Sequence, residues 1–503
     1  MKNSTKVIMS VFLSLAILLC GCIVSSSVAE QKISEENQEA QSGRGMVRYA
    51  PDGIGYTYEQ DGWHFLHIEG APFERGYQHG YLMADYIDDT LTKMRELIIV
   101  STGAEWDFFR EHASVMWKDK LDSEVKAELE GIAQGGSDAG KKFDYVDLLV
   151  YNGLDELTDY WFPTVAQAYY NAQSVQAGPE IKIAPLDTGS DDNCSAFIAT
   201  GSYTEDGRIV LAHNSFTTFE LAYCNMAIDV VPSEGSHFIM QSLPGYIHSF
   251  TDLYESEYLI VTETTIGGFK AYDETGIPEF NRIRMAVQFS TSLDEFTAWM
   301  LKGNNGGYAN TWLAGDLKTN EIMRLELGLK FHKVDKETDG YFVGFNAPLD
   351  PRIRNFETTN SGFADIRRHQ GARQVRLPQL MEQYKGKLNA ETAQIVIADH
   401  YDVYLEQEEN PCSRTVCSHY ELDMREYMSQ PGRPLPYQPR GAVDGVVATS
   451  ETAQNFTFWG RWGSACGMPF SAAEFLRQHP QFDYLEAFLS DRPSRPWSYL
   501  GVE

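Results

Sequence analysis

The stretch that most constrains the fold runs from Asp191 to Asn214. Cys194-Ser195-Ala196-Phe197-Ile198-Ala199-Thr200 and Arg208-Ile209-Val210-Leu211-Ala212-His213-Asn214 are two apolar, β-prone arms, and Thr204-Glu205-Asp206-Gly207 between them is turn chemistry. The pattern predicts a β-hairpin behind a polar, Gly-containing leader at residues 186–193. With the turn centred near Glu205-Asp206, Cys194 falls opposite residues 213–217. Directly opposed Cβ atoms in such a pair lie about 5 Å apart. A thiol at the start of one strand therefore meets an imidazole and an amide at the end of the other. The hairpin alone fits a buried structural cysteine as well as a nucleophile.

The surrounding chain places the hairpin in a mixed fold. A short strand at 63–68 leads to Gly70-Ala71-Pro72-Phe73-Glu74-Arg75-Gly76-Tyr77-Gln78-His79-Gly80, which opens a helix reaching about residue 99, with Pro72 in the tolerated first turn. Two helices follow over 105–135, and another over 144–159 carries Asn152, Asp155 and Glu156. Strands are expected at 226–231, 236–241, 258–266, 310–313, 325–331, 340–346, 445–449 and 455–459. Helices are expected after the Ser292 capping box and over 365–384 and 390–397. Helices come first, then a long β-rich middle, then helices. That order suits a layered α+β domain better than a doubly wound sheet.

Net charge is −30 without a basic block, which excludes charge-driven binding to nucleic acid or to an acidic membrane surface. Lys2 and Lys6 precede an apolar run at 7–19 that is short for a bilayer span. It ends in Leu19-Cys20-Gly21-Cys22, which resembles a bacterial lipobox with Cys22 as the lipid-bearing residue; a plain signal peptide or a retained anchor is the alternative. The chain thus divides into a signal segment (1–22), a polar tether (23–45), an N-terminal helical part (46–193) and a β-rich part beginning at Cys194 (194–503). The expected location is extracytoplasmic, held at the membrane through Cys22 or secreted. Of the seven cysteines, Cys412 and Cys417 sit in one short loop that a disulfide could close, and Cys194, Cys224 and Cys466 remain as an odd set.

Several familiar sites are missing. There is no H-E-x-x-H, no C-x-x-C and no Gly-x-Ser-x-Gly elbow. Gly135-Gly136-Ser137-Asp138-Ala139-Gly140-Lys141-Lys142 fails as a phosphate loop because it follows a helix and lacks the Ser/Thr after its lysine. Asp335-Lys336-Glu337-Thr338-Asp339-Gly340 is half a calcium loop whose twelfth position falls at Asn346 or Ala347, and is read as a turn. Neither a metal nor a cofactor is expected.

With these pieces in order, the chain resembles the phospholipase B-like proteins. The resemblance rests on Cys194-Ser195-Ala196-Phe197 with Ala212-His213-Asn214, then Thr262-Glu263-Thr264-Thr265-Ile266, the Asn304 to Trp312 segment, Arg367-Arg368-His369-Gln370-Gly371, Asn410-Pro411-Cys412 and Gly441-Ala442-Val443-Asp444-Gly445. The segment Glu74 to Gly80, Glu130-Gly131-Ile132-Ala133, Asn152 and Glu156 resemble the penicillin acyltransferase-type hydrolases. Both resemblances imply the four-layer αββα sandwich of the N-terminal-nucleophile hydrolases. They also imply self-cleavage of the Asn193–Cys194 bond, leaving Cys194 as nucleophile with its own α-amine as base. Asn310 is then the expected oxyanion donor, His213 a catalytic neighbour, and Asn214, Thr264 and Thr265 substrate contacts. Ser215 stands where the animal phospholipase B-like proteins carry an aromatic residue, which leaves substrate preference open.

The expected activity is hydrolysis of a carbon–nitrogen bond in an acylated amine or small peptide. A phospholipase B-type ester hydrolase is the alternative, and a non-catalytic surface-binding lipoprotein on the same fold is the reading from another class. The expected partners are a small acylated substrate or lipid and the membrane, with no nucleic acid.

Overall fold

The computed structural model describes residues 44–173, 194–220, 224–249, 253–359, 362–424 and 436–502. The signal segment, nearly all of the tether, Cys22 and Asn193 lie outside the described residues. Among those described, no helix is long and apolar enough to cross a membrane.

Among the described residues, seventeen strands form the β structure. They are β1 (Arg48–Tyr49), β2 (Tyr56–Gln60), β3 (Trp63–Gly70), β4 (Cys194–Thr200), β5 (Val210–Thr218), β6 (Met226–Pro232), β7 (Phe238–Ser242), β8 (Tyr254–Ser256) and β9 (Leu259–Thr265). After them come β10 (Asn310–Asp316), β11 (Ile322–Leu327), β12 (His332–Glu337), β13 (Gly340–Gly344), β14 (Arg440–Ala442), β15 (Asp444–Thr449), β16 (Thr457–Trp462) and β17 (Ser498–Gly501). Ten build one sheet in the order β1-β2-β3-β6-β7-β8-β9-β10-β11-β12. The other sheet runs β13-β4-β5-β15-β16-β17, with β14 paired to β5. The chain is therefore α+β, as its pattern predicts.

The predicted hairpin is present, and its register puts Cys194 opposite Ser215 and Ala196 opposite His213. Because strand side chains alternate faces, the hairpin separates into two sets. Ala196, Ile198 and Leu211 join a buried cluster with Phe65, Ile239, Ile260 and Leu313 of the ten-stranded sheet. Phe197, Ala199, Val210 and Ala212 pack instead with Leu377, Leu380, Val396 and Ile397 of the helices His369–Gln383 and Ala390–Ile397. Each fully buried aliphatic or Phe side chain contributes roughly 1.5–3 kcal/mol, so a one-residue slip would be opposed by both faces at once. Cys194 and His213 share the first face, turned toward the ten-stranded sheet.

The N-terminal helices cover the ten-stranded sheet through a third cluster that includes Leu66, Ile68, Ile87, Leu129, Val230 and Trp312. The helix expected to reach residue 99 is two helices, Pro72–Leu82 and Ala84–Thr102, with a break at Met83. Its glycines serve packing. A Cβ on Gly76 would lie 2.0 Å from the Glu128 carbonyl oxygen, and one on Gly131 would lie 2.2 Å from that of Phe73. The helices Pro72–Leu82 and Ser123–Asp138 therefore touch backbone to backbone. The second of these absorbs the first half of the false phosphate loop, Gly135 to Asp138.

A buried charge cluster pins that contact. Glu128 Oε2 lies 2.8 Å from both Arg75 and Arg284. Burial alone would push the Glu128 carboxyl up, but Arg284 and Arg75 together hold it below its ordinary range. The expected helix over 144–159 is regular only from Tyr145 to Asn152, and a π-helical turn, Glu156–Trp161, follows.

Candidate active site

Cys194 opens β4 and is 2% exposed. Three segments distant in sequence hold its atoms. Its backbone N–H donates to Asn346 Oδ1 at 3.1 Å, and its thiol donates to Glu263 Oε1 at 3.6 Å. Its carbonyl accepts from Arg373. Asn346 follows β13 with φ of 63°, a left-handed conformation that Asn tolerates better than most residues. That turn lets its amide face inward: Nδ2 donates to the Thr265 carbonyl at 2.8 Å while Oδ1 also accepts from Arg373 at 2.8 Å. Arg373 donates further to Ser195 Oγ at 3.2 Å and lies over the Phe216 ring. One buried guanidinium thus fixes the first two residues of β4 and the amide that receives the Cys194 N–H.

Glu263 bridges the thiol to the ten-stranded sheet. With its amide turned so that nitrogen faces the carboxylate, Asn310 donates to Glu263 Oε2 at 2.8 Å and to the Ala309 carbonyl at 3.0 Å. Tyr308 Oη donates to Glu263 Oε1 at 3.4 Å. Asn310 heads β10 opposite Thr265, as a turn-to-strand residue should. The turn before it is held from the N-terminal part: Asn305 donates to Glu156 Oε2 at 2.5 Å, and a Cβ on Gly307 would sit 2.2 Å from the same oxygen. Burial raises Glu156 to about 7, despite its hydrogen bonds. Beside Tyr308 lies a small cavity of about 10 Å³ lined by Asn152, Asp155, Glu156, Tyr246, His248 and Glu279, among others.

His213 completes the cluster. One of its ring nitrogens, the Cys194 sulfur and a Glu263 carboxylate oxygen all lie within 4.8 Å of one another. Burial lowers its pKa to about 3, so the ring is neutral near neutral pH.

The structure thus brings together Cys194, His213, Asn310 and the backbone of Thr265. It sets two expected contacts apart. Asn214 points to the opposite face of the hairpin, where Nδ2 donates to the Ile397 and Val416 carbonyls at 2.8 and 3.1 Å and Oδ1 accepts from the Ser195 N–H at 3.3 Å. Thr264 packs against Gly344, and its Oγ1 is buried.

Sequence reasoning missed Glu263 as the thiol's partner, and also Asn346, Arg373 and Asp444. Arg373 carried a signal: it shares a helical stripe with Leu377 and Leu380, and a charge on an apolar stripe calls for a buried partner. Asn346 fell at the end of the discarded calcium pattern. The short loop that might have closed as a disulfide holds two separate thiols, with Cys412 donating to Asp402 at 3.8 Å and Cys417 lying 3.5 Å from His419 Nε2.

Asp444 heads β15 beside β5, on the sheet face that carries Cys194 and His213, and accepts from the Ser215 N–H at 3.1 Å. Burial pushes its carboxyl up to about 7. A carboxyl raised on folding stabilises fully below its ordinary value near 3.8, and that contribution is lost as pH rises through the folded value. Asp444→Asn should therefore gain stability relative to wild type between about pH 4 and 7, by on the order of 2–4 kcal/mol, and show no further gain above pH 8. Urea midpoints of both proteins across this range test it, since the histidines and other carboxyls cancel in the difference. A pH-independent difference would remove Asp444 as the titrating group.

These features define an α+β protein whose two sheets converge on a buried cysteine held at its nitrogen, carbonyl and sulfur. The Phospholipase B family model matches residues 56–489, and the chain belongs to that family. It is also similar to an uncharacterized protein of Archaeoglobus fulgidus, 24% identical over 272 residues. That match covers 52% of this chain and 42% of the relative, so it spans less than half of the relative's length.

Proposed function

We propose that the protein is a self-processed hydrolase of the N-terminal-nucleophile type, with the two sheets as the inner layers of an αββα sandwich and Cys194 as nucleophile. The observation that carries this is the treatment of Cys194: its thiol, nitrogen and carbonyl are each held in a buried polar site at a strand start. Any buried residue needs partners for its backbone N–H and carbonyl, but a structural core cysteine needs no carboxylate facing its thiol.

In the uncut chain the thiol gives its proton to Glu263 and the sulfur attacks the Asn193 carbonyl carbon. The Asn193–Cys194 C–N bond breaks, the nitrogen takes up the proton, and a thioester forms. Water hydrolyses it, which regenerates the thiol and leaves Cys194 with a free α-amine. Such amines titrate near 7.7–8, so the amine can take the thiol proton in turnover while Asn346 Oδ1 holds it in place. The sulfur then attacks the substrate acyl carbon, and Asn310, freed from Glu263, donates to the oxyanion. One such donor typically contributes about 3 kcal/mol.

The acyl amide is favoured over a phospholipid ester by the protein's overall charge. A phosphate headgroup would meet like charge from a protein of net charge −30, which an acylated amine would not. An extracytoplasmic location with a lipid anchor at Cys22 accompanies this reading. It rests on the lipobox resemblance alone.

N-terminal sequencing of the purified full chain should find a fragment beginning Cys194-Ser195-Ala196. A chain that stays uncut from neutral to mildly acidic pH would defeat self-processing. A panel of acylated amines against phospholipids, given to the cut enzyme, then separates amide from ester hydrolysis, and silence on both favours the surface-binding reading.

A further inference from the structure

On the far side of β5 from the thiol, a second group of side chains converges without a part in the chemistry above. His400, Cys417, His419 and Cys466 each offer one ligand atom, and all four atoms lie within 4.8 Å of one another. We propose that these residues form a tetrahedral Cys2His2 site for a zinc ion.

The geometry supports this in three ways. His419 Nε2 lies 3.5 Å from both Cys417 Sγ and Cys466 Sγ. Zn–S near 2.3 Å and Zn–N near 2.0–2.1 Å at a tetrahedral angle place S and N about 3.5 Å apart. His419 Nδ1 is 2.8 Å from Glu421 Oε1, which fixes the tautomer that turns Nε2 inward, the carboxylate–histidine support typical of zinc ligands. His400 Nε2 is buried without a hydrogen bond, while its other ring nitrogen lies 3.5 Å from Glu409. The sulfur of Cys466 also accepts the Met468 N–H at 3.4 Å, a contact that suits a thiolate.

Two thiolates and two imidazoles are the donor set that selects zinc among abundant divalent cations. Binding would release the two thiol protons and leave a neutral centre. Four protein ligands close the shell, so the ion would be structural. It would tie the 400–419 segment to the turn after β16. The same segment borders β14 through the bond from the Ala442 N–H to the Ser418 carbonyl, and β14 pairs with β5 beyond Ser215.

The test uses the purified full chain. Elemental analysis should find one zinc per chain that survives dialysis. Removal by chelator and replacement with cobalt(II) should give the thiolate charge-transfer band and the intense visible bands of a tetrahedral centre. Cys466→Ser and His419→Ala should each lose the metal, while Cys412→Ser and Cys224→Ser keep it. The cobalt spectrum of the wild-type chain keeps the test decisive even where a variant folds poorly. The proposal fails if the reduced wild-type chain takes up neither metal. It also fails if peptide mapping finds a Cys417–Cys466 disulfide, or if folded Cys466→Ser and His419→Ala retain full zinc. None of these outcomes depends on cleavage before Cys194.

Discussion

Cys194→Ala is expected to yield a single uncut chain with hydrolysis at background and a fold close to wild type. The last part follows from the packing. Cys194 is small and its thiol contact to Glu263 is long, at 3.6 Å, whereas the backbone bonds to Asn346 and Arg373 survive the substitution. A loss of about 1 kcal/mol is the ordinary scale for such a change. Cys194→Ser should cut slowly if at all, because a hydroxyl is a far poorer nucleophile than a thiol without a strong base beside it. Intact mass and a denaturing gel read the cleavage, and the acylated-amine panel reads turnover. Cleavage before residue 194 in the Ala variant would show that another protease makes the cut. Wild-type cleavage with turnover surviving in Cys194→Ala would move the chemistry elsewhere.

The hairpin was legible because its register depends on local patterning. Alternation in 194–200 and 208–214 around a Gly-containing turn places Cys194 opposite Ser215 to within the predicted window. The helix after Ser292 was legible for the same reason, though only half of the capping box forms: the Ser292 hydroxyl accepts from the Glu295 N–H at 3.3 Å, while the Glu295 carboxylate accepts from the Thr291 N–H at 2.8 Å instead of that of Ser292. What patterning cannot supply is which distant segments meet. β3 pairs with β6 across the whole helical part and the hairpin, and Asn346 and Arg373 reach Cys194 across about as much chain again.

The site was half legible by the same logic. Cys194, His213 and Asn310 are marked by type and position within one strand or turn. Asn214 shows the limit: adjacent to His213 in sequence, it faces the other way because strand side chains alternate, and its amide spans two backbone carbonyls. The strands β1, β12 and β17 went unseen because their exposed edges or short length leave no apolar alternation to read. Glu263 lies within the Thr262 to Ile266 motif, where nothing local sets it apart. A lone carboxylate in a β-prone run declares its burial only once a second sheet lies over it.

Arg373→Met should lower both self-cleavage and turnover by roughly 10²–10³-fold, the scale of losing one preorganised polar group at a reacting centre. Met matches the length and apolar stem of Arg but supplies no donors. The Cys194 carbonyl, Ser195 Oγ and Asn346 Oδ1 then all lose the same buried partner. A buried acceptor deprived of its donor typically costs about 1–3 kcal/mol, so stability should fall by about 2–4 kcal/mol in total. Arg373→Lys keeps the charge, but its single ammonium cannot span acceptors that a planar fork reaches together, and it should fall between the two. A pH profile separates position from packing. A guanidinium beside the first residue of β4 favours the thiolate, so the rising limb of kcat/KM should move to higher pH in the Met variant and stay near wild type in the Lys variant. If the Met variant loses stability but cuts and turns over at the wild-type rate with an unmoved pH limb, Arg373 only packs the strand start, and the orientation of Cys194 rests on Asn346 and Glu263.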